Sequence, residues 1–421
     1  MVEIRTPITV DEAVERVMKY AFEGTKELIS FHACDGRRLA EPIVATSNVP
    51  SFDKSPYDGF AIRSADTIQA TKDTPVTFEV IEHIGAGTVP EKEIHLFQAT
   101  RIMTGAQIPE GADCVEMFEK CVEYTRDGRS FITIDHSMEQ GQNVIQTGSE
   151  VTDGDVLVEK GTYIDPGVKA VLATFGYAEV HVAKKPIVGV FATGTELLDI
   201  DEPLEPGKIR NSNAYMICSQ IERAGADYKY YGALPDELDS SYEKMKDVLN
   251  EVDLLVTTGG VSVGDFDLIP EIYEKLGAEV LCNKIAQRPG SVTTVAHVNG
   301  QLLFGLSGNP SACYVGFELY TRPIIQHALM NPCVYALRSK AILADEYPKT
   351  NSFSRFVRTY VTLENGKLHV HLAGMDKSNV VSSLARTTSL MEIPPGDKGV
   401  QKGDEVEVLL LHVIERQETF R

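Results

Sequence analysis

VDLLVTTGGVSVGDFD, residues 252–267, decides the fold. A short apolar run, 252–258, meets Gly259-Gly260 without a linker, and the acids Asp265 and Asp267 precede the next helical segment. The pattern reads as a strand, a glycine turn and a helix start. Outward from it the same grammar repeats. IVGVFAT (187–193) is an apolar strand, and NAYMICSQIERAGA (213–226) is a helix that closes on a glycine. YKYYGAL (228–234) is the next strand. Ser240 and Glu243 have capping-box spacing for a helix with Tyr242, Met245, Val248 and Leu249 on one face. A helix near 267–276, a strand in AEVLCNKIA (278–286) and the strand LLFGLS (302–307) lead to an apolar helix at 311–330. Strands alternating with helices predict a parallel sheet with helices on both faces. Ligands of such sheets bind beyond the carboxyl ends of the strands, here the loops after 193, 258 and 306.

The flanks differ in character. Thr9 and Glu12 have capping-box spacing for a first helix over 11–23. Pro and Gly punctuation then separates short strands, VTFEVIEHI (76–84), EIHLF (93–97) and SFITI (130–134), so the N-terminal half is β-rich and forms more than one lobe. After Pro332, FVRTYVTLENGKLHVHLAG (356–374) alternates around the hairpin signal Asn365-Gly366, which predicts a small all-β domain at 336–421.

Composition excludes several classes. A net charge of −21 opposes nonspecific nucleic-acid binding, which needs clustered cations. The seven cysteines are scattered, with no C-x-x-C pair, as expected of reduced thiols and not of a zinc site. No apolar run approaches the roughly 18–20 residues of a membrane span. The N-terminal stretch is too charged for a signal peptide. A cytoplasmic protein is expected.

The loops carry the candidate chemistry. In TTGGVSVGDFD, Gly259, Gly260, Ser262 and Gly264 let backbone N–H groups approach an anion, and Asp265 and Asp267 suit a hard cation. A tight turn with an acidic helix cap reads equally well. LSGNPSA (306–312) repeats the logic with Ser307, Gly308 and Asn309, or is a plain strand-to-helix turn. Glu196 in FATGTELLD, Asp236 in GALPDELD and Asp267 converge if the sheet is doubly wound, and then need a metal or donors to offset their repulsion. Otherwise they are helix-cap acids. KIAQRPGS (284–291) offers Lys284 and Arg288, as oxyanion ligands or as a solvated turn. SPYDGFAIR (55–63), RIMTGAQIPEGAD (101–113) and SSLARTTSL (382–390) add Asp58, Arg101, Thr104, Ser382, Ser383 and Arg386.

Taken in order, SPYDGFAIR, RIMTGAQIPEGAD, GQNVIQTGSE, ATGTEL, PGKIRNSN, TTGGVSVGDFD, RPGS, GLSGNP and SSLA resemble the molybdopterin molybdenumtransferases, the family of MoeA and the gephyrin E domain, over nearly the whole chain. The resemblance implies a multidomain α/β plus β fold: an elongated N-terminal dimerisation domain (1–45 and 141–185), an inserted β-rich domain (46–140), a Rossmann-like molybdopterin-binding domain (186–335) and a C-terminal β-barrel-like domain (336–421). It implies a homodimer with its active site between the Rossmann-like domain of one protomer and the N- and C-terminal lobes of the other. The substrates are then adenylylated molybdopterin and molybdate. A divalent ion such as Mg2+ assists release of AMP. Cofactor-biosynthesis proteins and apo-molybdoenzymes are partners; nucleic acid and membrane are not. Asp58, Thr104, Glu150, Glu196, Asp236 and Asp267 match functional positions, with Glu196, Asp236 and Asp267 as metal ligands. Gly259, Gly260, Ser262, Gly264, Gly308 and Asn309 match substrate-binding positions, and Lys284 and Arg288 the basic loop. Arg358 matches the arginine of the molybdate pocket, and Ser382 or Ser383 the C-terminal serine. The chain departs at Ser291 (lysine is usual), Ser307 (proline), Ala312 (serine) and Glu150 (aspartate), which bears on oxyanion binding and on molybdate against tungstate. Two rival classes stay open: a gephyrin-like scaffold without catalysis, and a nucleotide-processing hydrolase on the same fold.

Overall fold

A computed structural model of the chain describes residues 6–261, 268–396 and 399–411. The contacts divide into two compact units, one of residues 1–40, 160–164 and 180–421, the other of 41–159 and 165–179.

The first unit is built on a six-stranded sheet. Helix α1 (Val10–Met18) precedes it, capped by the Thr9 hydroxyl, which accepts the Glu12 N–H at 3.1 Å. The helix ends at Met18, short of the expected 23. Tyr20 and Ala21 donate to the carbonyls three residues back, which tightens the last turn, and Gly24 then donates to the Ala328 carbonyl at 3.1 Å. The sheet elements follow as β1 (Ile187–Thr193), α2 (Asn213–Arg223), β2 (Asp227–Leu234), α3 (Leu238–Val248), β3 (Leu254–Thr258), α4 (Ile269–Lys275), β4 (Glu279–Cys282), β5 (Thr294–Val298) and β6 (Gln301–Leu306). Helix α3 starts at Leu238, two residues before the expected Ser240, and buries the expected Met245 and Val248.

The strand order is β2-β1-β3-β6-β5-β4. Strands β2, β1, β3 and β6 pair in parallel, whereas β5 runs antiparallel to both neighbours, so the sheet is mixed and not wholly parallel. The reason is a two-residue turn between β5 and β6. Asn299 (φ 50°) and Gly300 (φ 85°) both adopt the left-handed conformation that a tight hairpin needs. The Asn-Gly signal stands in the sequence, but the helix-strand rhythm around it masked it.

Two apolar cores sandwich the sheet. Ile217 and Ile221 of α2 and Val190, Val256 and Phe304 of the strands share one. Met245, Val248, Ile269 and Ile272 pack with Phe191, Leu255 and Leu303 in the other. The expected single helix at 311–330 is three pieces: α5 (Pro310–Gly316), a π-helical turn (Phe317–Thr321) and α6 (Arg322–Ala328). Pro323 lacks an N–H, and the ladder widens just ahead of it.

The barrel is formed by β7 (Leu337–Leu343), β8 (Ser354–Glu364), β9 (Lys367–Leu372), β10 (Ser389–Ile393) and β11 (Glu405–Leu410). Their order β8-β9-β7-β11-β10 closes through pairing of β8 with β10. Asn365 (φ 50°) and Gly366 (φ 76°) make the expected β8–β9 turn. A two-residue strand, Gln287–Arg288, leaves the α/β sheet and adds in parallel to the edge of β8. The barrel residues Phe356, Leu390 and Leu409 join the same core as β1 and α2, so sheet and barrel are held together by burial.

The second unit carries its own six-stranded sheet, with strands Cys114–Met117, Gly59–Ile62, Gln98–Ile102, Val76–Ile84, Arg129–Ile134 and Val122–Arg126 in spatial order. Phe60, Ile62, Phe78, Ile132 and Ile134 form its core. EIHLF (93–97) is not a strand. Phe97 sits at φ 57° with its N–H on the Asp66 carboxylate at 2.9 Å, and the strand begins only at Gln98. Among the described residues no helix is long and apolar enough to cross a membrane.

One glycine tests the packing beside Asp58. A Cβ on Gly59 would lie 2.1 Å from the Glu116 carbonyl oxygen, whereas one on Gly85 meets nothing within 4 Å. Gly59→Ala is expected to lower the unfolding free energy by about 1–3 kcal/mol, the usual range for overpacking. Gly85→Ala should stay within about 0.5 kcal/mol, as surface changes do. Equal denaturant midpoints for the two variants would contradict the packing described.

Candidate functional site

At the carboxyl ends of β1, β3 and β6 the chain turns on itself three times, and the turns touch. Gly259 (φ 101°) and Gly260 (φ 67°) follow β3 in the left-handed region. A Cβ on Gly259 would stand 2.5 Å from the Thr193 hydroxyl at the end of β1, so only glycine fits. Thr193 donates that hydroxyl to the Thr258 carbonyl at 3.2 Å. The Gly259 N–H donates to the Leu306 carbonyl at the end of β6 at 2.8 Å, and a Cβ on Gly308, just beyond, would stand 3.7 Å from the Gly259 Cα. The Gly308 carbonyl accepts from the Asn213 amide at 2.8 Å, which ties the third turn to α2.

These turns floor a cavity of about 600 Å³, lined by Gly194, Glu196, Asp236, Gly259, Gly260, Ser307, Gly308 and Asn309. The loops expected from sequence are therefore brought together. Glu196 and Asp236, both exposed, supply carboxylates, and among the described residues no cationic side chain lines the cavity. Ser262, Gly264, Asp265 and Asp267 lie outside the described residues. Among the described residues no group of three or more His, Cys, Asp or Glu could hold a metal ion. Two carboxylates facing one cavity still suit Mg2+, which usually takes one or two from the protein and fills its shell with water and substrate phosphate oxygens.

A second cavity of about 270 Å³ adjoins the first across Val292, Ser307 and Asn309. Its wall has the opposite sign. Arg288, Gly290 and Ser291 come from the basic loop, Arg355 from β8, and Asp376 and Ser378 from the segment after β9. Buried hydrogen bonds fix that loop. Tyr320, in the π-helical turn, donates to the Gln287 side-chain carbonyl, and the Gln287 amide donates to the Pro289 carbonyl at 3.0 Å. Ser311 on α5 pins the opposite wall, donating its hydroxyl to the Val380 carbonyl at 2.8 Å.

Arg358 lies buried behind the second cavity, with its Nη1 in no hydrogen bond among the described residues. Its guanidinium is 2% exposed and donates to the Ser383 hydroxyl at 2.9 Å and to the Met375 and Lys377 carbonyls at 2.9 and 3.2 Å. These bonds hold the segment that carries Asp376 and Ser378, and Arg358 is not among the described residues that line the cavity. Burial pulls its pKa down, against the opposing pull of Asp376. Ser383 is buried as its acceptor and Ser382 is exposed. Lys284 lines neither cavity, and its carbonyl accepts the Ile8 N–H at 3.1 Å. Sequence reasoning missed Arg355, Asp376 and Ser378. The available signal was GMDKSN (374–379), a polar turn directly ahead of SSLA.

Asp58, Thr104 and Glu150 belong to the second unit. The Asp58 carboxylate accepts the Thr104 N–H at 2.7 Å and its hydroxyl at 2.8 Å. These bonds hold its pKa below the ordinary 3.8, the backbone N–H contributing most. Glu150 is exposed, with its N–H on the Val49 carbonyl at 3.0 Å. Arg101 stacks 4.0 Å from the Phe118 ring centre and pairs with Glu123 at 2.6 Å.

Comparison with known proteins yields three family matches in chain order: the MoeA N-terminal region (domain I and II) over residues 8–176, a probable molybdopterin binding domain over 189–327, and the MoeA C-terminal region (domain IV) over 340–411. A molybdopterin molybdenumtransferase of Bacillus subtilis is 54% identical over 411 residues, 98% of this chain and 96% of the relative. One of Staphylococcus epidermidis is 48% identical, covering 97% of each chain. Among solved structures, a molybdopterin biosynthesis MoeA protein from Pyrococcus horikoshii superposes with a TM-score of 0.86 at 29% identity, over 97% of this chain and all of that one.

The Asp58–Thr104 pair has a titration signature. Thr104→Val removes the hydroxyl donor and keeps the N–H, so the Asp58 pKa is expected to rise part of the way toward 3.8. A depressed carboxyl pKa stabilises the fold above the unfolded value, and that contribution is lost as pH falls through the folded value. The variant should therefore lose less stability on acidification than the parent. Carboxyl-carbon NMR titration of both proteins checks this, and an unmoved Asp58 would show that the hydroxyl bond contributes nothing.

Proposed function

The chain belongs to the MoeA family of molybdopterin molybdenumtransferases, and on that premise we propose how its residues share the work of molybdenum-cofactor biosynthesis. Adenylylated molybdopterin occupies the carboxylate-lined cavity, molybdate the cationic one, and AMP leaves as molybdenum passes to the pterin dithiolene. The observation that carries this reading is the adjacency of two cavities of opposite sign across Ser307 and Asn309.

The glycine turns suit the phosphate end of the substrate, because backbone N–H groups can approach it without a side chain in between. Glu196 and Asp236 would hold Mg2+ at the same edge. The ion would neutralise charge that builds on the phosphate oxygens. Arg288 supplies a planar fork of donors for the oxyanion, and Ser291 a neutral donor where a lysine is usual in the family. A neutral donor is weaker by roughly a factor of two, so oxyanion binding is weak. Asp58, Thr104 and Glu150 serve as substrate-positioning groups of the same reaction. We place the protein in the cytoplasm as a homodimer that receives its substrate from, and delivers its product to, other cofactor-biosynthesis and apo-molybdoenzyme proteins. The four-part division at residues 1–45 with 141–185, 46–140, 186–335 and 336–421 accompanies that reading.

The test is direct. Incubated with adenylylated molybdopterin, Mg2+ and molybdate, the protein should release AMP and activate a molybdenum-free apoenzyme. Release of AMP at the same rate without molybdate would favour a nucleotide-processing hydrolase, and no release at all would favour a scaffold. Asp236→Asn and Glu196→Gln should each cut the rate about a hundredfold, the usual cost of one preorganised electrostatic contact. Full activity in either variant would remove that carboxylate from the metal site. Sedimentation should give a dimer at micromolar concentration, and an active monomer would contradict the assembly.

A further inference from the structure

The cationic cavity contains its own anion. Gln287–Arg288 pairs in parallel with Ser354–Arg355, and this register sets Arg288 directly across from Arg355. Like charges directly opposite on neighbouring strands repel. Asp376 relieves that repulsion from the side. Its carboxylate is 7% exposed and accepts from the Arg355 Nε at 3.0 Å and from the Tyr347 hydroxyl. Lys349 lies 3.5 Å away on the exposed side and Arg358 3.9 Å away on the buried side. A second anchor, the Asn351 side-chain oxygen, accepts from Arg355 at 2.8 Å. Burial pushes the Asp376 carboxyl up, but the Tyr347 hydroxyl and Arg355 outweigh it, so the group is a carboxylate at neutral pH.

Arg355 and Asp376 both line the cavity that Arg288 and Ser291 enter. An oxyanion entering there meets Arg288, which has no ion pair among the described residues, and Arg355, which is already committed to a carboxylate. We propose that Arg355 is an oxyanion ligand held in reserve by Asp376, an internal counter-anion with which the incoming oxyanion competes for the guanidinium. This rests on the reading of the cavity as an oxyanion site and deepens it. The low affinity expected from Ser291 is then set also by a carboxylate. The ligand class is a tetrahedral oxyanion dianion.

Competition has a sign that mere structural support lacks. Replacing a structural anchor weakens binding, whereas replacing a competitor strengthens it. Titration calorimetry of the full-length protein with sodium molybdate and sodium tungstate reads the difference. Asp376→Asn should tighten both about tenfold, the order of one charge-assisted hydrogen bond gained from the freed guanidinium. Arg355→Gln should weaken both about tenfold, and the Asp376→Asn gain should vanish in the Arg355→Gln background. Lys349→Gln removes the same charge from the same carboxylate outside the cavity and should change affinity by a much smaller factor, as half-exposed pairs do. Weaker or unchanged binding in Asp376→Asn overturns the proposal. Should that variant fail to fold in a thermal melt, equal losses in Arg355→Gln and Lys349→Gln overturn it instead. A parent protein that binds neither oxyanion overturns the oxyanion reading itself, whereas binding by the parent with the wrong response in the variants overturns only the competition.

Discussion

The contact between Thr193 and Gly259 is the constraint on which the site depends. Neighbouring parallel strands ordinarily end in loops that diverge. Here the hydroxyl at the end of β1 occupies the space that a side chain after β3 would need, 2.5 Å from the absent Cβ. The two turns can therefore lie against each other, and Gly308 completes the set from β6. Any side chain at 259 would have to displace Thr193, with the Thr193–Thr258 hydrogen bond and the first cavity's floor. Conformation adds to the constraint, because Gly259 and Gly260 both lie at positive φ.

From that floor the separation of charge follows. Acids reach the first cavity from the loops after β1 and β2, and cations reach the second from the basic loop and the barrel edge. A single mixed cavity would let Glu196 and Asp236 pair with Arg288 and cancel. Keeping them apart needs a wall that is rigid and thin, and Ser307 and Asn309 form it. The barrel contributes by addition of one short strand to its edge, which turns the basic loop into part of a β-ladder and fixes where Arg288 points. In the proposed function this division lets a metal-held phosphate and an oxyanion be bound side by side without either site neutralising the other.

Much of this was legible in the sequence, for identifiable reasons. Apolar runs that stop at glycine gave β1, β3 and β6 and the loops that matter, because buried parallel strands and tight turns both leave strong local signals. The Asn365-Gly366 hairpin was equally plain. Asn299-Gly300 carried the same signal and passed unread, since the surrounding rhythm of strand and helix argued for a crossover; β5 is reversed as a result. Arg355 and Asp376 were invisible for another reason. Their meeting depends on a register between residues 287–288 and 354–355 that no local pattern encodes. Arg358 entered as a candidate by resemblance alone, as the match to the arginine of the family's molybdate pocket, and no local pattern shows that it is buried. Its Nε and Nη2 donate to Ser383 and to the Met375 and Lys377 carbonyls, while its buried Nη1 has no hydrogen-bond partner among the described residues.

In the proposed function the two cavities divide the substrates by charge. Anomalous diffraction from crystals soaked in tungstate tests it without any need for turnover. A tungsten peak is expected in the cavity between Arg288, Ser291 and Arg355, and none in the cavity of Glu196 and Asp236. A peak against those carboxylates, or bound tungstate only elsewhere on the molecule, would contradict it.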